Sequence, residues 1–66
     1  MQPIENVIKK LAAGKRIMFE TPQMRNKFIQ GATVIDVDPN EKIVIVETQG
    51  KEISLGNGTM VSIDAT

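Results

Sequence analysis

Residues 28–48 read FIQGATVIDVDPNEKIVIVET, and this stretch decides the fold. Two runs rich in β-branched residues flank Asp38-Pro39-Asn40-Glu41. Proline fixes φ, and Asp and Asn bond to nearby backbone N–H groups, so these four residues predict a tight turn. The runs become the two strands of a hairpin, residues 28–37 and 42–48. Gly31 interrupts the first run, and a glycine inside a strand marks a bulge or a barrel corner. In the second run Ile43, Val44, Ile45 and Val46 are apolar on both faces, the pattern of a strand covered on both sides. One cover is the interior of the domain. The other is the helix or a second subunit, which assigns Val44 and Val46 to a subunit interface and predicts that a lysine at either position breaks an oligomer.

The rest of the chain extends or covers this hairpin. Pro3 suits a first helical turn. Ile4, Val7, Ile8 and Leu11 follow at the spacing of one helical face, which predicts a short amphipathic helix over residues 3–13 closed by Gly14. A helix this short is not stable alone and must dock its stripe on the sheet. Residues 15–21 predict a strand with Ile17 and Phe19 facing one way and Arg16, Met18 and Glu20 the other. Pro22 ends it, and residues 22–27 form a polar connection suited to meeting a ligand. Gln49-Gly50 turns into a strand over 51–55. Gly56-Asn57-Gly58 turns again into a last strand over 59–64, with Val61 and Ile63 on one face and Met60 and Ser62 on the other. Met60 and Ser62 join Val44 and Val46 as expected interface positions. The expectation is a single, mainly β domain spanning residues 1–66. It comprises an N-terminal helix and a five-stranded antiparallel small barrel over residues 15–64, SH3-like or Sm-like, because closure removes most exposed edges.

At 66 residues the core is marginal, since a chain of this size buries only about 60% of its unfolded surface. Such domains usually need a disulfide, a metal or oligomerisation. The chain has no Cys and no His, which excludes disulfides and the usual zinc sites and points to a homo-oligomer. No stretch reaches the about 20 apolar residues of a membrane span, and the N-terminus lacks the pattern of a signal peptide. The expected location is the cytoplasm, or the host cytoplasm for a viral source.

Net charge is zero, but its halves differ. Residues 1–33 hold six cations and two acids, whereas residues 34–66 hold two cations and six acids. Such a split makes one pole basic enough to attract an anion, unless the halves interleave in space. Lys15, Arg16, Arg25 and Lys27 cluster around the first strand of the barrel and suit phosphate. Without His or Cys the commonest catalytic side chains are missing, so the expectation is a non-enzymatic protein with no cofactor and no metal. Asp36 and Asp38 alternate on one strand face, and two carboxylates can hold a divalent cation, but a solvated face beside a turn is the favoured reading. Gly56-Asn57-Gly58 could present N–H groups to an anion, or simply make a hairpin. Phe19 and Phe28 are read as core residues rather than base-stacking ones.

The order of elements resembles the Sm-like family, which includes the Hfq-type RNA chaperones. Gln2-Pro3-Ile4-Glu5-Asn6 is similar to the start of the Hfq-type helix, where a Gln meets uridine. Gln30-Gly31 through Asp36 and Asp38 is similar to the family's second strand. The family's Lys and His before the final strand are replaced here by Leu55-Gly56-Asn57-Gly58. The resemblance implies a ring of subunits joined edge to edge by their last two strands, with RNA on a ring face. A second resemblance runs through Leu11-Ala12-Ala13-Gly14-Lys15-Arg16-Ile17, Val34-Ile35-Asp36-Val37-Asp38 and Gly58-Thr59-Met60-Val61-Ser62-Ile63. It is similar to the barrel that precedes PilZ domains in YcgR-type flagellar brakes and implies a protein-interaction barrel without the nucleotide site. The functional expectation is an oligomeric binder of an anionic ligand, RNA or a small or cyclic nucleotide. Lys15, Arg16, Arg25 and Lys27 would neutralise phosphate, and Gln2 and Asn57 would hydrogen-bond base or sugar. A phage-type protein that sequesters a nucleotide signal would have this form. The alternative is a protein-interaction or assembly module.

Overall fold

The computed structural model describes residues 1–24 and 27–64. Strand β1 (Gln2–Pro3) leads into helix α1 (Ile4–Val7) and a 3-10 turn (Ile8–Lys10). Five longer strands follow: β2 (Arg16–Glu20), β3 (Ile29–Asp38), β4 (Ile43–Thr48), β5 (Lys51–Leu55) and β6 (Met60–Ile63). They form one antiparallel sheet in the order β1-β6-β2-β3-β4-β5. The protein is therefore mainly β, with a short N-terminal helix and six strands instead of the five expected. Among the described residues β1 and β5 end this strand order, with no pairing between them.

The helix is much shorter than residues 3–13, for reasons of competing backbone bonds. Pro3 is extended (φ −54°, ψ 141°) and pairs with Met60. The Ile4 N–H donates to the Thr59 carbonyl at 2.9 Å. After Val7 the backbone tightens to 3-10, and Leu11 turns extended at φ −90°, ψ 141°. Beyond it the Gly14 N–H donates to Val34 O at 2.9 Å, and the Val34 N–H donates to Lys15 O at 2.7 Å. A sheet ladder has taken the residues that a longer helix would need. The stripe still works, since Ile4, Val7, Ile8 and Leu11 are all buried.

One face of the sheet and this stripe share a single core. Ile17, Phe19, Ala32, Val34, Val44, Val46, Leu55 and Val61 are fully buried in it, with Ile29, Val37, Ile53 and Ile63 packed at its margin. Two irregularities in β3 keep its inward set in phase. Between the pairs Ile17↔Ala32 and Phe19↔Ile29, β3 carries one residue more than β2. Gly31 lies in this bulge at φ +74°, a region costly to a residue with a Cβ. Between Val34↔Val46 and Asp36↔Ile45, β3 again carries one extra residue. Exposed Ile35 is absorbed there, so that Val34 and Val37 both face inward.

Two assignments made from the sequence are corrected. Val44 and Val46 are enclosed within this chain at 0% exposure, where they oppose Leu55 and Ile53 of β5. The outward members of the apolar run are half-buried Ile43 and Ile45. The alternation was present, and the parity had to be read from β5 and not from the apolar content of β4. Phe28 is not a core residue: it precedes β3 and is 54% exposed. Half-buried Met24 packs against the core instead, through a turn in which its N–H donates to Thr21 O and its carbonyl accepts from Lys27 N–H. No helix in the described residues is long and apolar enough to cross a membrane.

Candidate functional site

The outward face of β2 and β3 holds the most developed polar constellation. The Gly31 bulge leaves a position without a side chain beside β2, and Arg16 fills it. A guanidinium nitrogen (Nη2) stands 3.0 Å from where a Cβ at position 31 would lie. Arg16, Met18, Gln30, Gly31 and Asp64 line a depression of about 500 Å³ there, a volume in the usual range for small-molecule sites. Asp64 is held at its rim by donating its backbone N–H to Arg16 O at 3.0 Å. A second depression, bordered by Ala12, Ala13, Gly14 and Lys15, adjoins the first through Arg16 and Asp64. The site thus offers a planar cation, an amide, a thioether floor and one carboxylate.

The expected ligand residues are only partly gathered. Lys15 and Arg16 share the second depression and are both exposed. Gln2 lies across β6 from them, lining a cleft with Lys10, Ser62 and Ile63. Asn57 is exposed in the turn between β5 and β6. That turn abuts the loop before β3, because a Cβ at Gly58 would come within 3.0 Å of the Pro22 ring. Lys27 is exposed in the same loop. Arg25 lies outside the described residues. Met60 and Ser62 are half-buried on the outer face of β6, opposite Glu20 and Met18 of β2.

Sequence reasoning missed Gln30 as a lining residue and Phe28 as an exposed aromatic. The signal for Gln30 was its place immediately before the bulge glycine, which brings it beside Arg16. Phe28 gave no such signal, since a lone aromatic at a strand start reads as core.

Asp36 and Asp38 do share the outward face, with Ile43, Ile45 and Ser54 between and beside them. Their oxygens are engaged locally. Asp38 Oδ1 accepts from the N–H groups of Asn40 (3.1 Å) and Glu41 (3.2 Å), and Asp36 Oδ1 accepts from Val37 N–H (2.9 Å). Among the described residues no three acidic groups converge as a metal site would need. Charge is only partly segregated along the sheet. Lys9, Lys10, Lys15 and Arg16 belong to the 3-10 turn and the β2 approach, but Glu5, Glu20 and Asp64 lie at the same end; Asp36, Asp38, Glu41, Glu47 and Glu52 belong to the β3–β4–β5 end together with Lys42 and Lys51. Comparisons with protein-family models, curated proteins and solved structures gave no match to this chain.

Proposed function

We propose that this chain is a non-enzymatic binding protein for an anionic ligand, RNA or a small or cyclic nucleotide, held on the outer face of β2 and β3. The observation that carries this reading is Arg16 laid over Gly31 beside Gln30, with Lys15 next to it. A guanidinium offers several N–H donors in a fixed plane and suits phosphate oxygens in pairs. The absence of His and Cys favours binding over catalysis. The same proposal takes the sheet as a small SH3-like or Sm-like barrel in a cytoplasmic protein. It is supported by the strand order, which brings β6 beside β2, and by the single core under one face. Self-association belongs to the proposal too: β5 ends the sheet with one edge unpaired among the described residues, and such edges accept further strands.

Titration of fluorescein-labelled hexauridylate and of cyclic dinucleotides into the protein, at low and at physiological salt, tests the reading. Binding should weaken steeply as salt rises, and Arg16→Ala should reduce it at least tenfold. An absence of binding to every one of these ligands at low salt overturns the proposal. Native mass spectrometry of the same sample reports subunit number, and a monomer removes the self-association part. A protein-interaction module is the second reading, supported by the half-buried Ile43 and Ile45 between Asp36 and Asp38 on the opposite end of the sheet.

A further inference from the structure

The two aromatic residues of this chain have opposite fates. Phe19 is fully buried, and Phe28 is 54% exposed. Burying a phenyl ring is among the larger gains open to so small a core, and the fold forgoes it at position 28. The position is specific. Phe28 stands two residues before Gln30, at the entry of β3. Residues two apart on an extended chain project to the same side, about 6.6 Å apart. Exposed Phe28 precedes the strand and is not among the residues that line the depression of Gln30, Met18 and Arg16; carried back one step, the alternation of half-buried Ile29 with exposed Gln30 sets it beside that depression on the outer side. An aromatic ring next to the depression is thus added to the amide and the guanidinium within it. Rings stack on nucleobases whatever the base, amides hydrogen-bond base edges, and guanidinium groups hold phosphate.

We propose that Phe28 is a base-stacking residue, so that the ligand of the Arg16 face is a nucleobase-bearing phosphate rather than a base-free anion. This inference rests on the anion-binding reading above and narrows it. Gln30 is assigned to the base edge and Arg16 to the phosphate. Exposure of the ring in the free protein is what the role requires: a stacking surface has to be open before the base arrives.

The test compares probes with and without a base. Hexauridylate, uridine triphosphate and inorganic tripolyphosphate are titrated into the wild type and into Phe28→Ala and Phe28→Trp. The Ala variant should bind the two base-bearing probes about tenfold more weakly, bind tripolyphosphate as the wild type does, and keep the wild-type circular dichroism spectrum. The Trp variant should retain binding. Since the chain has no Trp or Tyr, its new indole is the sole strong fluorophore, and quenching of it by uridine triphosphate reports stacking directly. Tighter binding of the hexamer than of the triphosphate would assign the site to a strand, and the reverse to a free nucleotide. Unchanged affinity of Phe28→Ala for the base-bearing probes overturns the inference and leaves the anion reading standing. So does equal affinity of the wild type for tripolyphosphate and uridine triphosphate. An Ala variant that loses its fold also overturns it, since the ring would then be structural. A wild type that binds none of the three probes removes both.

Discussion

Arg16 lies over Gly31, with Nη2 3.0 Å from the place a Cβ would take at that glycine. The bulge and the cation are therefore one feature: the backbone conformation that only glycine adopts cheaply also leaves room for the guanidinium.

Gly31→Ala should cost about as much stability as the same change at a glycine with open surroundings, and should differ from it in binding. Gly50 is the control, with φ +77° and nothing within 4 Å of its Cβ position. Gly50→Ala should lose about 1–2 kcal/mol of stability from the left-handed backbone alone. Gly31→Ala, at φ +74°, bears the same backbone cost and also shifts the exposed Arg16 guanidinium by a few tenths of an ångström, which a flexible side chain takes up at little cost in stability. Urea denaturation should show similar losses at the two positions, whereas phosphate-ligand binding should fall in Gly31→Ala and not in Gly50→Ala. Equal binding by both variants would separate the bulge from the site.

The parity of β4 makes a second pair of variants informative. Val46 is wholly enclosed, and its neighbour Ile45 is half-buried on the outer face. Val46→Lys places an ammonium group with no partner in the core, at about 3–5 kcal/mol, against a total stability of about 5–15 kcal/mol for a domain. Its urea midpoint, followed by far-UV circular dichroism, should fall by a large part of the wild-type value. Ile45→Lys should keep the wild-type spectrum. If Ile45→Lys changes the subunit number seen by native mass spectrometry, the outer face of β4 is an interface. A Val46→Lys variant as stable as the wild type would mean that the strand faces the other way.

Much of the sheet could be read from the sequence because its signals are local. The Asp38-Pro39-Asn40-Glu41 turn, the Gly31 bulge and the alternation of Ile17 and Phe19 with Arg16 and Met18 all stand as expected. What the sequence hid depended on partners far along the chain. The helix ends at Val7 and its 3-10 extension at Lys10, because Gly14 and Lys15 bond to Val34, a pairing that no local propensity contains. A strand apolar throughout does not say whether Val44 and Val46 face in or out, and only their pairing with Leu55 and Ile53 fixes which face is inside. The site was half legible for the same reason. Lys15 and Arg16 are neighbours in sequence, whereas Gln30 and Asp64 reach Arg16 through two different strand pairings.

Ile4 ties the N-terminal segment to the end of the chain. It is 1% exposed, and its N–H donates to Thr59 O. Ile4→Ala should cost about 2–5 kcal/mol by leaving a cavity beneath the helix. Hydrogen exchange should show the loss of protection concentrated in residues 4–11 and along β6, where β1 pairs. Uniform loss across the sheet would mean that the helix is as integral to folding as the hairpin.

Asp38 offers a test that separates hydrogen bonding from charge at the hairpin turn. Its Oδ1 accepts from Asn40 and Glu41 N–H groups at 3.1 and 3.2 Å. Each such bond contributes about 0.5–1.5 kcal/mol, so Asp38→Ala should lower stability by about 1–2 kcal/mol. Asp38→Asn keeps a side-chain acceptor oxygen without the charge and should recover most of that loss in a urea titration at low salt. If Asn fails to rescue, the carboxylate acts through its charge. Addition of millimolar Mg²⁺ or Ca²⁺ should then raise the melting temperature of the wild type and not of Asp38→Asn. If Asn rescues and neither cation shifts the melting temperature, the pair Asp36 and Asp38 serves the turn and the strand alone.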